Sequence, residues 1–228
     1  MLLSVHTPKT GGRTLERHLQ EAYGSRLLQH PHDWTELRTP DAVARRERHR
    51  AELIGDPTTF AQRYDAVHGH YGASKYLSSF PGARLVTFVR DPVQHVISTY
   101  DMARRVPLTE HPMHAAFKQR DASIFDMLER FPNLQSVYVD VALERFALVG
   151  IYERYDESLA MFESLFGVTL ANRDLRVNVN PNRFGETYPA PPELRRAVTR
   201  WCAQDNELYG RAVERFDRMR SGNRACPT

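Results

Sequence analysis

Leu2-Leu3-Ser4-Val5-His6-Thr7-Pro8-Lys9-Thr10-Gly11-Gly12-Arg13-Thr14-Leu15 is the stretch on which the fold turns. Leu2, Leu3 and Val5 form a short apolar run that stops at His6-Thr7-Pro8, which predicts a buried strand. Gly11 and Gly12 then mark a tight turn, and Leu15, Leu19 and Tyr23 recur at helical spacing. Two glycines let the backbone fold back sharply and present N–H groups to an anion, and the helix that follows adds its positive N-terminal end. Lys9 supplies a mobile point charge and Thr14 a hydroxyl. This is phosphate-loop chemistry, although the nucleotide-triphosphatase order G-x-x-x-x-G-K-[ST] is absent, because Lys9 precedes the glycines. A plain tight turn leading into a helix is the competing reading.

Working outward, Leu85-Val86-Thr87-Phe88-Val89 is the clearest strand, β-branched and bounded by Gly82 and by Asp91-Pro92. Pro92 then opens a helix marked by Val93, Val96, Ile97 and Tyr100. Ala66-Val67-His68 and Ala147-Leu148-Val149-Gly150-Ile151 read as two more strands. Helices are expected over 40–63, broken at Gly55-Asp56-Pro57, over 121–131 and over 156–166. One long closing helix carries Leu194, Val198, Trp201, Leu208, Ala212 and Phe216. The alternation predicts an α/β fold: a parallel sheet with helices on both faces, in a single domain over 1–220 followed by a frayed tail at 221–228. Ligands gather at the carboxyl ends of such strands, which places Arg90 to meet an anionic group near the glycine loop. Ser98, eight residues on, would face the same ligand if its helix packs beside that loop. A surface pair, Arg90-Asp91, ahead of a proline-started helix is the alternative.

Composition removes whole classes. The 228 residues are 41% hydrophobic and 10% aromatic, which suits a packed globular core and not a disordered chain. There are 31 basic and 28 acidic residues, a formal net charge of +3, which argues against a general nucleic-acid partner. Only Lys9, Lys75 and Lys118 of those basic residues are lysine. The densest basic run, Arg45, Arg46, Arg48, His49 and Arg50, is interrupted by Glu47 and reads as a solvated helix face. Two cysteines, Cys202 and Cys226, make neither a disulfide framework nor a cysteine-rich zinc site. The sequence shows no membrane-spanning run and no secretory signal, so a cytoplasmic address is the default expectation.

Together the two anion motifs become specific. Pro8-Lys9-Thr10-Gly11-Gly12-Arg13-Thr14-Leu15 resembles the 5′-phosphosulfate loop of sulfotransferases. Val89-Arg90-Asp91-Pro92 through Ser98 and Tyr100 resembles their 3′-phosphate motif. His68-Gly69-His70, between the two, is similar to a pattern in uronyl 2-O-sulfotransferases, within the carbohydrate branch that includes heparan sulfate 2-O-sulfotransferases and bacterial relatives. Segments around Val149 to Leu159 and Asp205-Asn206-Glu207-Leu208-Tyr209 are similar to that branch too. The resemblance implies a P-loop-like domain that binds 3′-phosphoadenosine-5′-phosphosulfate (PAPS) and releases 3′-phosphoadenosine-5′-phosphate (PAP). The sulfuryl group passes to an acceptor hydroxyl, on a carbohydrate, by in-line attack, with no metal. It implies His70 as the base, Lys9 at the leaving oxygen, and Lys9, Thr10, Gly11, Gly12, Arg13, Thr14 and Leu15 as the donor loop. Arg90 and Ser98 would hold the 3′-phosphate. Arg183, in the polar stretch 178–185, is the cation expected in a donor-closing loop. Where many family loops carry Thr or Ser, this chain has Arg13, which either adds a phosphate contact or points outward.

Of the ten histidines, His6, His18, His95, His111 and His114 read as structural. His68 and His32 are the candidates for substrate binding. The segment His30-Pro31-His32-Asp33-Trp34-Thr35-Glu36-Leu37 resembles a stretch of heparan sulfate 6-O-sulfotransferases with its histidine off register by one. His68 and His70 alternate along one strand face, as two metal ligands would, but the sequence offers no third. A nucleotide-dependent kinase on the same loop architecture and a non-catalytic nucleotide-binding scaffold are the competing functions.

Overall fold

A computed structural model describes residues 1–33, 35, 37–105, 122–170, 177 and 187–224. Five strands form one sheet: β1 (Leu2–Val5), β2 (Leu27–His30), β3 (Ala66–Gly69), β4 (Arg84–Val89) and β5 (Phe146–Ile151). Their spatial order is β2-β3-β1-β4-β5, and every pairing is parallel. β1 and β3 are buried throughout, and β4 is buried from its second residue on. Strands covered on both faces read as near-continuous apolar runs, which is why these were visible in the sequence. The edge strand β2, Leu-Leu-Gln-His, was not, because only its ends are buried and it pairs on one side only.

The helices flanking the sheet are α1 (Gly12–Tyr23), α2 (Pro40–Ile54), α3 (Pro57–Arg63), α4 (Ser74–Leu77), α5 (Pro92–Arg105), α6 (Ile124–Arg130), α7 (Tyr155–Phe166), α8 (Pro192–Trp201) and α9 (Ala203–Arg224). The expected break at Gly55-Asp56-Pro57 separates α2 from α3: Gly55 ends one helix at φ +54°, and Asp56 caps the next by accepting the Thr59 amide. α6 begins three residues later than expected, because Ser123 and Asp126 form a reciprocal capping box at its start.

Two expectations need correction. The closing segment is two helices, interrupted at Cys202, where the Asn206 side chain donates to the carbonyls of Val198 (3.1 Å) and Cys202 (2.8 Å). The break serves packing. Leu194, Val198 and Cys202 join a small cluster with Val93, Val96, Met127 and Leu128, whereas Leu208, Ala212 and Phe216 join the main core against the sheet. In addition, α9 continues to Arg224, beyond the boundary expected at 220; residues 225–228 lie outside the described ones.

Topology positions the site. From β1 the chain moves toward β2 and β3; from β4 it moves toward β5, on the opposite side. The carboxyl ends of β1 and β4 therefore diverge at a switch point, and a crevice opens between the loops that leave them.

Candidate active site

The loop leaving β1 is braced from several sides. Thr7 is buried, with its Oγ1 3.2 Å from that of Thr87, and the Thr87 hydroxyl donates to the Val5 carbonyl at 2.9 Å. Thr10 donates back to the Thr7 carbonyl at 2.7 Å. Lys9 and Gly11 both adopt left-handed backbone, at φ +64° and +84°. Lysine in that region is uncommon and costs about 1–3 kcal/mol unless its surroundings enforce it. Here they do: Arg90 Nη1 donates to the Lys9 carbonyl at 3.2 Å, and His95 Nε2 donates to the Pro8 carbonyl at 2.9 Å. Both glycines are needed for space. A Cβ on Gly11 would lie 2.6 Å from the Tyr155 ring, whose hydroxyl donates to the Gly11 carbonyl. A Cβ on Gly12 would lie 1.9 Å from His6 Cδ2.

α1 starts at Gly12 with neither a side-chain cap nor an acidic residue in its first turn. Its amide end keeps a positive potential that no carboxylate neutralises. Lys9 adds to this field. Burial first, then the neighbouring Arg105 and Arg90 charges, lower its ammonium to about 8, with Asp101 opposing. A group whose charge is disfavoured by desolvation and by other cations gains most when an anion arrives.

Arg90 is only 3% exposed. The Gln135 side chain clasps its backbone, accepting the Arg90 amide and donating to its carbonyl, both at 2.8 Å. Buried Asp205 in turn accepts the amides of Gln135 (3.1 Å) and Ser136 (2.8 Å). The guanidinium lies over the Tyr152 ring at 4.4 Å and near Tyr188 at 5.5 Å. Its Nε is 3.9 Å from Glu153, whose carboxyl is raised by burial. Ser98 is buried on α5, one turn past His95, and His95 touches the loop; α5 therefore packs beside the loop, as the reading of Ser98 required.

The remaining loop residues divide. Thr14 Oγ1 accepts the Val177 amide at 3.1 Å, Leu15 is buried in the core, and Arg13 points outward beside Glu16 with 63% of its side chain exposed. Arg183, His111 and His114 lie outside the described residues.

Beside the loop stands a stack of imidazoles. The rings of His6 and His70 are 4.0 Å apart and 25° from parallel; His68 lies 5.1 Å from His6, 26° from parallel. His70 Nδ1 is 2.7 Å from the His6 carbonyl. A carbonyl only accepts, so Nδ1 carries the proton and the neutral ring's lone pair sits on Nε2. His32 meets His70 edge-on at 4.8 Å and reaches the Tyr138 hydroxyl at 3.1 Å. His68 is 2% exposed, with Nδ1 2.8 Å from Ser4 Oγ, so it braces β3 against β1 rather than facing an open cleft. Burial, then His70, lowers it to about 3, and burial likewise holds His6 well below the ordinary histidine range.

Among the described residues one trio has ligand atoms close enough for a metal: His30, Asp33 and His49, all within 4.8 Å of one another. The Lys75 ammonium already fills that place, 2.6 Å from Asp33 and 3.2 Å from His30. It is a buried ion-pair cluster.

Solved sulfotransferases are similar in structure. One from Alicyclobacillus acidocaldarius aligns over 90% of this chain and 91% of its own, at 16% identity and a TM-score of 0.45. Mouse sulfotransferase SULT7A1, complexed with PAP, aligns over 75% of this chain and 59% of its own, at 17% identity and a TM-score of 0.39. No family model and no curated protein matches the sequence. At these identities and scores the likenesses carry no functional argument, so the chemistry rests on the residues.

Sequence reasoning missed Gln135 and Tyr188, because nothing near them in sequence marks a site, and it covered Tyr152 and Glu153 only within a similar segment, with no role for either. Asp205 was flagged only as part of a similar segment. The histidine stack was missed as a unit: His6, His32 and His70 come from three separate loops. No helix among the described residues is long and apolar enough to cross a membrane.

Proposed function

We propose that the chain is a sulfotransferase that moves a sulfuryl group from PAPS to an acceptor hydroxyl on a carbohydrate. The observation that carries this reading is the distance between an anion loop and a base. One imidazole, His6, separates them: it fills the Cβ space of Gly12 on one side and stacks on His70 at 4.0 Å on the other.

The residues fit the donor. The 5′-phosphosulfate would rest on the amide end of α1, with the cradle at Gly11 and Gly12 admitting it closely and Lys9 meeting the bridging oxygen. Bound there, PAPS supplies a sulfur centre with a phosphate leaving group. Arg90 and Ser98 hold the 3′-phosphate, so that remote binding orients the reacting end. His70 Nε2 takes the acceptor's hydroxyl proton as the acceptor oxygen bonds to sulfur. The sulfur–oxygen bond to the phosphate breaks, and Lys9 and the loop amides stabilise the charge left on that oxygen. Arg183 is the proposed cation of a donor-closing loop.

A cavity of about 430 Å³ is the proposed place of the acceptor. It is lined by Asp33, Arg38, Lys75, Asp140 and Gln204 among others, and by Gly72, two residues past the base. His32 and His68 remain candidates for aligning the acceptor, His32 directly and His68 through the stack. Mixed donors and acceptors of both charges suit a hydroxyl-rich molecule.

Thermal shift with PAP against ATP plus magnesium tests the donor, and mass gain on an offered saccharide in the presence of PAPS tests the transfer. Stabilisation by PAP and a sulfated product are expected. Stabilisation by ATP alone would replace this reading with a nucleotide-dependent kinase; PAP binding without transfer to any hydroxyl would leave a nucleotide-binding scaffold.

A further inference from the structure

We propose that the His6 side chain is a positioning residue that holds the His70 imidazole in register with the anion loop. The inference deepens the proposed reaction and rests on His70 being its base. His6 follows β1 directly and is 6% exposed. Its ring stacks against both other imidazoles, with His68 at 5.1 Å and His70 at 4.0 Å, tilted 26° and 25° from them. Its edge occupies the volume a Cβ would take on Gly12, with Cδ2 1.9 Å and Nε2 2.0 Å from that position. One flat group therefore touches the loop that would hold the donor and the face of the base that would serve the acceptor. Its own carbonyl receives the His70 Nδ1 proton. The ring of His6 sets the plane of His70 and so keeps its Nδ1 within reach of that carbonyl; ring and carbonyl together fix the tautomer.

Burial, followed by the charges of His70, His68, Arg13 and His32, holds His6 far below the usual histidine range, so it stays neutral beside a ring that must accept a proton. A flat neutral ring can be replaced by another flat neutral ring, and that supplies the test.

His6→Ala, His6→Leu and His6→Phe would be compared by steady-state kinetics and by ¹⁵N imidazole spectra that report which nitrogen of His70 is protonated. His6→Phe is expected to keep the Nδ1–H tautomer and most of kcat. His6→Ala and His6→Leu are expected to show mixed His70 tautomers and a kcat lowered by about 10²-fold, with both KM values within about twofold of wild type. If the alanine variant does not fold, the leucine variant, close in volume but without a ring face, carries the comparison. Unchanged tautomer and kcat in His6→Leu would overturn the proposal. So would a loss in His6→Phe as large as in His6→Leu, or a loss that appears in donor KM instead of kcat. If the wild-type chain transfers no sulfuryl group, the proposed function fails, and the His70 spectra still decide whether His6 positions that ring.

Discussion

Two adjacent strands carry a His-x-His pattern across their carboxyl ends, His30-Pro31-His32 at β2 and His68-Gly69-His70 at β3, and the fold uses them differently. In parallel register, His30 pairs with Gly69. In both motifs the first histidine turns inward and the second reaches the crevice, where His32 and His70 meet at 4.8 Å. The inward residues live in opposite environments. His68 sits on the inner strand β3 beside His6, bonded to Ser4, and burial is the largest influence on it. His30 sits at the edge strand inside a charged cluster of Asp33, Lys75 and His49, with the Tyr76 hydroxyl on its Nδ1 at 2.8 Å. The comparison therefore separates a stack of imidazoles beside the anion loop from an ion-paired cluster that holds the segment after β2 in place.

The sharpest way to break this contrast is to delete one member of each side. His70→Ala is expected to lower kcat by about 10²–10⁴-fold while PAP affinity, measured by calorimetry, stays within about twofold. Loss of PAP affinity in that variant would move His70 from base to donor binding.

On the other side, Asp33→Ala leaves the Lys75 ammonium, 6% exposed, without its carboxylate. Breaking such a pair is expected to cost about 3–5 kcal/mol of unfolding free energy in denaturant titration. Because Asp33 also lines the proposed acceptor cavity, a rise in acceptor KM is expected beside the stability loss, while kcat of the folded fraction falls far less than in His70→Ala; an equal kcat loss would merge the two clusters into one site. Burial alone would raise the Asp33 carboxyl, but His30 and Lys75 outweigh it and hold it at about 2.

Acid sharpens the contrast next. His68 and His95 are lowered by burial to about 3, against an ordinary 6.5. Between those values the unfolded chain binds protons that the folded chain refuses, so their contribution is present above pH 6.5 and is lost as pH falls toward 3. Melting temperature is expected to drop steadily through this window, and more steeply below the ordinary carboxylate value of 3.8, where the Asp33 contribution is lost as pH falls toward 2. His95→Gln, which keeps a donor for the Pro8 carbonyl, should flatten the slope; an unchanged slope would remove His95 from this account.

The smallest expected effect belongs to His32→Ala. It removes an edge contact to His70 and a partner of Tyr138, and about a tenfold rise in acceptor KM with little change in kcat is expected for one lost hydrogen bond. A fall in kcat to the His70→Ala level would show that the two second histidines share the base role.

Much of this was legible beforehand, for identifiable reasons. β1, β3, β4 and β5 announced themselves because strands covered on both faces are written almost wholly in apolar residues. The loop was legible because a close approach and a left-handed turn demand glycine: Gly11 is required on both counts, and Gly12 by the close approach of His6. β2 was not, being a half-covered edge. The split of the closing helix was not, since Asn206 looks ordinary until its amide is seen on the carbonyls of α8. His6 read as a structural histidine, and it is buried, yet its neighbours place it between loop and base.

By itself the sequence determined the order of elements, the parallel sheet and the presence of an anion-seeking loop, because periodicity and glycine placement act over a few residues. Only the tertiary structure decided which imidazoles stand together, which nitrogen of His70 carries the proton, and that Arg90 is clasped by Gln135 and Asp205. Those outcomes depend on groups 45 to 70 residues apart in sequence meeting within hydrogen-bond reach. At that range the environment of a side chain, and with it its charge and its chemistry, is set by packing.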